Sequence, residues 1–574
     1  MCSQRGYFTA DEVRAAEAEL FARVPEGMPM HRAAYGLASV VASELRARTG
    51  GIAGRSVLLL VGSGDNGGDV LWAGSMLRRR GVAVTALLLN PERAHAKGLA
   101  ALRKAGGGIR TASDVLRADG ASAATSGVAG SIPAGAASAT GVSSVEPGGA
   151  TGSSFAWAGG ATRASSLGRG AVGSSPVGSA GVAEPSSAGS SSAGSSSGGP
   201  VLDEIGLGAP DLVIDGIVGI SGRGPLRRMA AEIVAALNVP IIAADLPSGV
   251  DPDTGAVTGP AVQAEVTVAF GAYKPVHALA APYCGRIELV PIGLRLPEPN
   301  LAALEPAEIG ARWPIPGPAD DKYTQGVTGI CAGSATYPGA AVLCTGAAVA
   351  ATSGMVRYAG TGAAEVLDHF PEVIAAQTIS STGRVQSWVF GPGAGTDTDA
   401  HKRLAEILAT DLPVVIDADG LTLLAADPDL VRGRTAPTVL TPHAGEFARL
   451  TGHEVGQDRV AAVRDLAESW QLTVLLKGRA TLVATPGHPV LVNEAGGSWA
   501  ATAGAGDVLS GIIGALLAAG YDPAWSAAAA ARVHALAANL AAHENHPSAA
   551  PTSASPLLDH VRSAIRTLRT LAAK

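Results

Sequence analysis

Short apolar runs separated by stretches of helical periodicity alternate along most of this chain. In the first half, RSVLLLVG (55–62) predicts a strand, Gly68–Arg80 a helix and VAVTALLL (82–89) a second strand. DLVIDGIVG (211–219), VPIIAADLPSG (239–249) and AEVTVAFG (264–271) continue the pattern. Strands this continuously apolar are buried on both faces, and with helices between them they build parallel α/β sheets. Proline concentrates near 295–320 in RLPEPN and RWPIPGPAD, after which the alternation restarts. VTGICAG (327–333), WVFGPG (388–393), PVVIDADG (413–420), TVLTPH (438–443) and TVLLKG (473–478) predict the second set of strands, and an Ala-rich helical stretch runs from Asp507 toward Ala542. The expected organisation is a domain over 1–300, a linker over 301–318 and a second α/β domain over 319–574, with no internal repeat.

Composition changes one part of that picture. Glycine accounts for 75 of 574 residues, and residues 120–200 hold 19 Gly, 21 Ser and 18 Ala but only four charges, Glu146, Arg163, Arg169 and Glu184. Such a segment cannot bury enough apolar surface to offset the entropy of ordering it. It is expected to be a flexible insert in a surface loop of the first, Rossmann-like domain, and to be dispensable for activity. The balance of 42 basic and 49 acidic residues, without a Lys/Arg block, gives no support to nucleic-acid or anionic-membrane binding. Cys2, Cys284, Cys331 and Cys344 form no CxxC pair and read as reduced thiols. The N-terminus reads as an amphipathic helix without an apolar signal core, and no apolar stretch reaches about 20 residues, so a cytoplasmic protein is expected.

The segment VGSGDNGGD (61–69) follows a strand and opens a helix, and Gly62, Gly64 and Gly67 fit GxGxxG. Glycines there permit close backbone approach to phosphate at a helix N-terminus, as in nicotinamide dehydrogenases. Against that reading, the second strand ends LLLNPE, with no acidic residue for a ribose hydroxyl. Asp215 in VIDGIVGISGRGP, and Asp245 and Ser248 in AADLPSGVD, also fall at strand ends, where ligands of open α/β sheets bind. Asn66, Asp215 and Ser248 offer hard oxygen donors for an alkali or alkaline-earth cation; the alternative is that they cap helices and shape turns.

DNGGD, VIDGIVGISGRGP and AADLPSGVD resemble the signature loops of the NAD(P)H-hydrate epimerases, which interconvert the R and S forms of the hydrated nucleotide NAD(P)HX and bind potassium. The resemblance implies that Asp65, Asn66, Gly67, Gly68 and Asp69 hold the hydrate, together with Gly219, Ile220, Ser221, Gly222, Arg223, Gly224 and Pro225. It implies that Asp245 contacts the hydrate and does acid–base work, and that Asn66, Asp215 and Ser248 bind K+. The family's usual NNGGDG is altered here at Asp65 and Val70.

In the second half, TAGAGDVLSGIIGALLAAG (502–520) leads a glycine turn through Asp507 into a helix of small residues. N–H groups at such a helix start form an anion hole, and Asp507 is placed to act on a hydroxyl; the alternative is a helix cap. His443 and Glu446 in VLTPHAGEF, Lys477 in the expected hairpin LLKGRATLV, GPGAG (391–395) and DADGL (417–421) are further strand-end polar loops. The set resembles the ADP-dependent NAD(P)H-hydrate dehydratases, of ribokinase-like fold, over 320–560. DKYTQG, AGSATYPGAA, GPGAG, DADGL, TPHAGE, KGRAT and GAGD occur in the family's order, with Thr422 replacing the usual Asn. The resemblance implies removal of water from the S epimer while ADP becomes AMP and phosphate. Ala341, Gly393, His443 and Asp507 would bind the hydrate, Lys477, Gly478, Arg479, Ala480, Thr481 and Gly506 would bind ADP, and Mg2+ would bridge its phosphates. Small-molecule partners and a homo-oligomer are expected. A ribokinase-like small-molecule kinase with an N-terminal nucleotide-binding module, or a first half that binds without turnover, are the rival readings.

Overall fold

The computed structural model describes residues 4–111, 209–352 and 354–573; the low-complexity segment 120–200 lies outside them. In chain order the first strands are β1 (Gln4–Tyr7), β2 (Ser56–Val61), β3 (Ala83–Leu88), β4 (Gly108–Thr111), β5 (Leu212–Gly216), β6 (Ile241–Ala244), β7 (Val266–Phe270) and β8 (Arg286–Val290). Seven of them form a parallel sheet in the order β4-β3-β2-β5-β6-β7-β8. Alternate residues of β2 feed opposite cores. Val57, Leu59 and Val61 pack under the helices Met28–Thr49 and Asp65–Arg79, and Leu58 and Leu60 pack against Ile233 and Val262 on the other face. Burial on both faces explains why the sequence shows no period of two.

The remaining strands are β9 (Leu301–Leu304), β10 (Val327–Cys331), β11 (Met355–Ala359), β12 (Ile374–Ala376), β13 (Ser387–Phe390), β14 (Val414–Ile416), β15 (Thr438–Leu440), β16 (Thr473–Leu476), β17 (Ala480–Ala484) and β18 (Val490–Glu494). They form an eleven-stranded sheet in the order β1-β9-β18-β17-β16-β15-β14-β13-β10-β11-β12. Its centre is parallel, and the β16–β17–β18 edge is antiparallel. The α/β class expected from the alternation is borne out in both halves.

Four local features differ from the sequence expectation. The segment 301–318 is more than a tie: it carries β9, which pairs in parallel with β18, and the helix Pro306–Arg312. β1 reaches across to pair antiparallel with β9, so the first residues of the chain complete the second sheet. The Ala-rich stretch after Asp507 is two helices, Ala505–Ala518 and Pro523–His543, because Gly520 turns left-handed (φ +86°) and Pro523 can open a helix but not continue one. Finally, the helix expected at Gly68 begins at Asp65, which turns most of DNGGD into helical first turn rather than loop.

Candidate active sites

The strand order of the first sheet reverses between β2 and β5, the switch point at which α/β sheets open a ligand crevice. A Cβ at Gly62 would lie 1.8 Å from the Ile217 carbonyl oxygen, so only glycine lets the two strand-end loops meet. Gly64 precedes the helix without a side-chain cap, which leaves its first N–H groups available to an anion. Asn66 is buried, and its Nδ2 donates to Val218 O (2.9 Å) and Ala244 O (3.0 Å), so its oxygen is what remains for a ligand.

Asp215 is wholly buried. Its Oδ1 accepts from Ser248 Oγ (2.7 Å) and Ile217 N (3.1 Å), and its Oδ2 from Ser248 N (2.8 Å). Burial nonetheless pushes its pKa up to about 6. The Val218 N–H donates to Ser248 Oγ (3.0 Å), which links Asn66 through the Val218 backbone to Ser248 and Asp215. The three residues expected to bind a cation thus lie in one connected cluster that offers amide, carboxylate and hydroxyl oxygens, a donor set suited to a hard cation. The Gly219–Pro225 loop runs over Asn66, with Gly219 in contact with its side chain. Arg223 does not stand free for a phosphate; it is ion-paired to Asp251 (3.5 Å) and Asp253 (2.8 Å). Asp65, Ser221, Gly224 and Pro225 are exposed around the crevice.

Asp245 adopts φ +67°, a strained backbone for a non-glycine residue. Its Oδ1 accepts from Phe270 N (3.0 Å) and from the ammonium of Lys274, which is itself only 1 % exposed and also bonded to Phe270 O (2.9 Å). The Lys274 N–H donates to His277 Nδ1 (3.0 Å), so the neutral imidazole donates through Nε2 to Asp245 O (2.8 Å). Burial, then the Lys274 charge, pushes His277 down to about 4. Asp69 is buried, and its Oδ1 has no hydrogen-bond partner. Burial and the neighbouring carboxylates of Asp245, Asp65 and Glu17 hold Asp69 well above the usual carboxylate range. Glu17, on the helix Ala10–Phe21, is likewise raised by burial and then by Asp245. The sequence reading did not select Lys274, His277 or Glu17. The signal for the first two was AYKPVH directly after the strand AEVTVAFG; Glu17 left none, because only the fold brings its helix over the site.

In the second sheet the β16–β17 hairpin presents Lys477, as expected. Lys477 Nζ donates to Asp417 Oδ1 (2.7 Å) and lies 3.5 Å from Glu446. Burial alone would raise Asp417, but the Lys477 ammonium, with hydrogen bonds from Lys477 and Ser510 Oγ (2.8 Å), outweighs it and keeps the carboxyl below its usual range. Gly506 faces this pair, since a Cβ there would lie 3.5 Å from Lys477 Nζ. Asp507, in the first turn of Ala505–Ala518, is pushed up to about 7 by burial and then by Asp417. His534, buried and pushed down to about 4, ties that helix start to Pro523–His543 through Nε2 and Ala505 O (2.8 Å).

The remaining candidates sit around this edge in different ways. His443 caps the helix Ala444–Thr451, its Nδ1 accepting from Gly445 N (3.0 Å) and Glu446 N (3.3 Å) while the ring stays exposed. Ala341 is fully buried against Gly333, so only its backbone can meet a ligand. Gly393 packs on Tyr337 and Ala340, at the start of the helix that carries Ala341. Gly478 lies under the Arg459 guanidinium, Arg479 is paired with Glu494 (2.9 Å), and Thr481 Oγ1 donates to Gly478 O (2.9 Å) around Ala480, the first residue of β17. Thr422 accepts from Arg449 (2.9 Å) on an exposed surface.

Residues 27–129 and 184–276 match the family described as YjeF-related protein N-terminus, and residues 328–559 match the family described as NAD(P)H-hydrate dehydratase. Bifunctional NAD(P)H-hydrate repair enzymes of Mycobacterium leprae and Mycobacterium tuberculosis are each 52% identical over 567 residues, covering 98% of this chain and 100% of theirs. The Corynebacterium glutamicum enzyme of that description is 33% identical over 654 residues, covering 97% of this chain and 98% of its own. A crystal structure of ADP/ATP-dependent NAD(P)H-hydrate dehydratase from Bacillus subtilis, co-crystallised with ATP and Mg2+, is 25% identical with a TM-score of 0.41 and covers 46% of this chain and 98% of that one. With two family matches in series and half its residues shared along nearly its whole length, the chain belongs to the bifunctional NAD(P)H-hydrate repair enzymes, which join an epimerase and a dehydratase in one polypeptide.

Proposed function

We propose that residues 1–300 epimerise R- and S-NAD(P)HX and that residues 319–574 dehydrate the S form with ADP, giving NAD(P)H, AMP and phosphate. The observation that carries the dehydratase assignment is Asp507, a carboxyl raised to about 7 at a helix start facing the Lys477–Asp417 pair. A base with that pKa is half ionised at neutral pH and takes the hydrate's hydroxyl proton as the oxygen attacks the terminal phosphorus of ADP. The N–H groups at Gly504–Gly506 receive charge building on the phosphoryl oxygens. Hydroxide leaves poorly; phosphate leaves readily. The ring nitrogen's lone pair then expels phosphate to leave a C=N cation, and loss of a proton from the adjacent ring CH2 to solvent or to the departing phosphate restores the dihydropyridine. Lys477, Gly478, Arg479, Ala480, Thr481 and Gly506 hold ADP, and Ala341 (through its backbone), Gly393, His443 and Asp507 hold the hydrate. Mg2+, arriving with the nucleotide, would be shared with the carboxylates of Asp417 and Asp419 and would neutralise phosphate charge.

In the first domain Asn66, Asp215 and Ser248 hold K+. The crevice formed by the Asp65–Asp69 turn and the Gly219–Pro225 loop takes the hydrate beside Asp245. The enzyme works in the cytoplasm, as a homo-oligomer; no helix among the described residues is long and apolar enough to cross a membrane. Incubation of the chain with an R/S NADHX mixture and ADP is expected to restore NADH absorbance to completion. Failure to regenerate NADH, together with phosphorylation of a sugar or vitamin alcohol, would favour a small-molecule kinase instead.

A further inference from the structure

The epimerase crevice holds two carboxyl groups in opposite surroundings. Asp245 is matched by a buried ammonium and a backbone N–H. Asp69, as deeply buried, has an oxygen with no partner at all. A buried carboxylate that serves only the fold is paired, because leaving one unpaired is costly. Asp69 also faces the reaction region. It lies three residues after Asn66 on the helix Asp65–Arg79, hence on the same helix face, and Asn66 bonds the carbonyl of Ala244, the residue before Asp245. The charged groups around Asp69 are Asp245 from the loop after β6, Asp65 from its own helix and Glu17 from the helix Ala10–Phe21. Those around Asp245 include Lys274 and the neutral His277.

We propose that Asp69 is a second catalytic group of the epimerase, the acid that protonates the hydroxyl leaving the hydrated carbon, while Asp245 is the base for water adding on the opposite face. This rests on reading the first domain as the epimerase. The hydrated carbon carries a hydroxyl, a hydrogen and the ring nitrogen. The nitrogen lone pair forms a C=N bond as the C–O bond breaks, and the departing oxygen takes the Asp69 proton and leaves as water. The planar cationic carbon then accepts a water oxygen on its other face, and that water gives a proton to Asp245. No oxidant or reductant is needed. One proton has moved from Asp69 to Asp245, which is the arrangement required for catalysis in the reverse direction; exchange with solvent resets it. Burial without a partner favours the neutral, proton-carrying form of Asp69, whereas Asp245 accepts from the Lys274 ammonium and the Phe270 N–H, so the two carboxyl groups stand in opposite surroundings.

The test follows R/S interconversion in the full chain without ADP, with the epimers resolved chromatographically, in water enriched in oxygen-18. Asp69→Asn is expected to lower kcat for epimerisation by at least about 100-fold with KM changed less than about threefold. ADP-dependent dehydration of purified S epimer should be unchanged, and the near-UV circular dichroism and the proteolysis pattern over residues 1–300 should match wild type, which shows that the first domain of the variant is folded. Wild type should take up one labelled oxygen per inversion, and its rate should fall as pH rises through the titration of Asp69. Wild-type inversion without label uptake, retention of kcat by Asp69→Asn, or a defect confined to KM would each overturn the assignment to Asp69 while leaving the epimerase reading intact. A wild-type chain that does not accelerate inversion above the spontaneous rate would instead remove the epimerase reading, and this proposal with it.

Discussion

Three donors reach the Asp215 carboxylate, and burial still pushes it up to about 6, so protons would compete with the K+ proposed for these buried oxygens. Adding K+ in place of Na+ at pH 7.5 is expected to raise Tm, and that increment should shrink below about pH 6 as Asp215 protonates; an equal increment at pH 5 would speak against K+ at this point. The sign at Asp507 leads to a different expectation. Its folded pKa of about 7 lies above the ordinary carboxylate value, so its contribution to stability is full at low pH and is lost as pH rises toward 7. Asp507→Asn should therefore lose dehydration by at least about 100-fold yet be more stable than wild type at pH 8, with the difference narrowing toward pH 4 in denaturant titrations. Residues such as Asp507, Asp245 and Lys477 were legible because they stand beside glycine turns at strand ends. Lys274, Glu17 and Asp69's lack of a partner were not, since their meaning lies in what surrounds them and a linear pattern carries no record of that.

Strands and helices emerged from the chain's alternation with their ends displaced. The apolar runs continue past each strand into site loops, as in VIDGIVG, where β5 stops at Gly216 so that Ile217 and Val218 can turn into the Asn66 and Ser248 contacts. The sequence pattern starts the helix Asp65–Arg79 late because glycines weaken helix propensity, a local cost that packing against β2 and β5 overrides. Between elements, His534 fastens Pro523–His543 to the helix start that carries Asp507. Its pKa, pushed down to about 4, means that its contribution is full above pH 6.5 and is lost as pH falls through 4. The stability difference between wild type and His534→Gln, measured in urea, should therefore decline by up to about 3 kcal/mol between pH 6.5 and 4. A pH-independent difference would show that the imidazole does not titrate in this way.

Over the whole molecule the two halves are less separable than their family matches. A fragment beginning at residue 319 would lack β9, exposing the edge of β18, and would lack the helix Pro306–Arg312, whose Gly310 lies against the Leu568 backbone. It would also lack Trp313, a buried ring bonded to Ala351 O (2.9 Å). Loss of the tryptophan packing alone is worth at least about 3 kcal/mol. Residues 297–574 should therefore be soluble and active in dehydration, whereas 319–574 should aggregate or melt much lower; equal melting temperatures would refute the dependence. The proline-rich spacing announced a boundary but not this sharing, because a four-residue strand such as β1 or β9 has no periodicity to read.

The pairing of β1 with β9 also fixes an order of events during synthesis. Arg5 and Glu305, joined across these strands, are 300 residues apart, an interval of about 15–60 s at ordinary ribosomal speed. Until β9 emerges, the first strand has no sheet to enter. The helix Ala10–Phe21 that follows it, which brings Glu17 over the epimerase crevice, is held before then by first-domain residues alone, with Ala10 N donating to Asp253 (2.7 Å) and Phe8 N to Tyr273 O (2.8 Å). The first four residues of structure are thus the last to be paired, and a ribosome that stalls before residue 301 would release an epimerase domain with its crevice walled but with β1 left as an open strand edge.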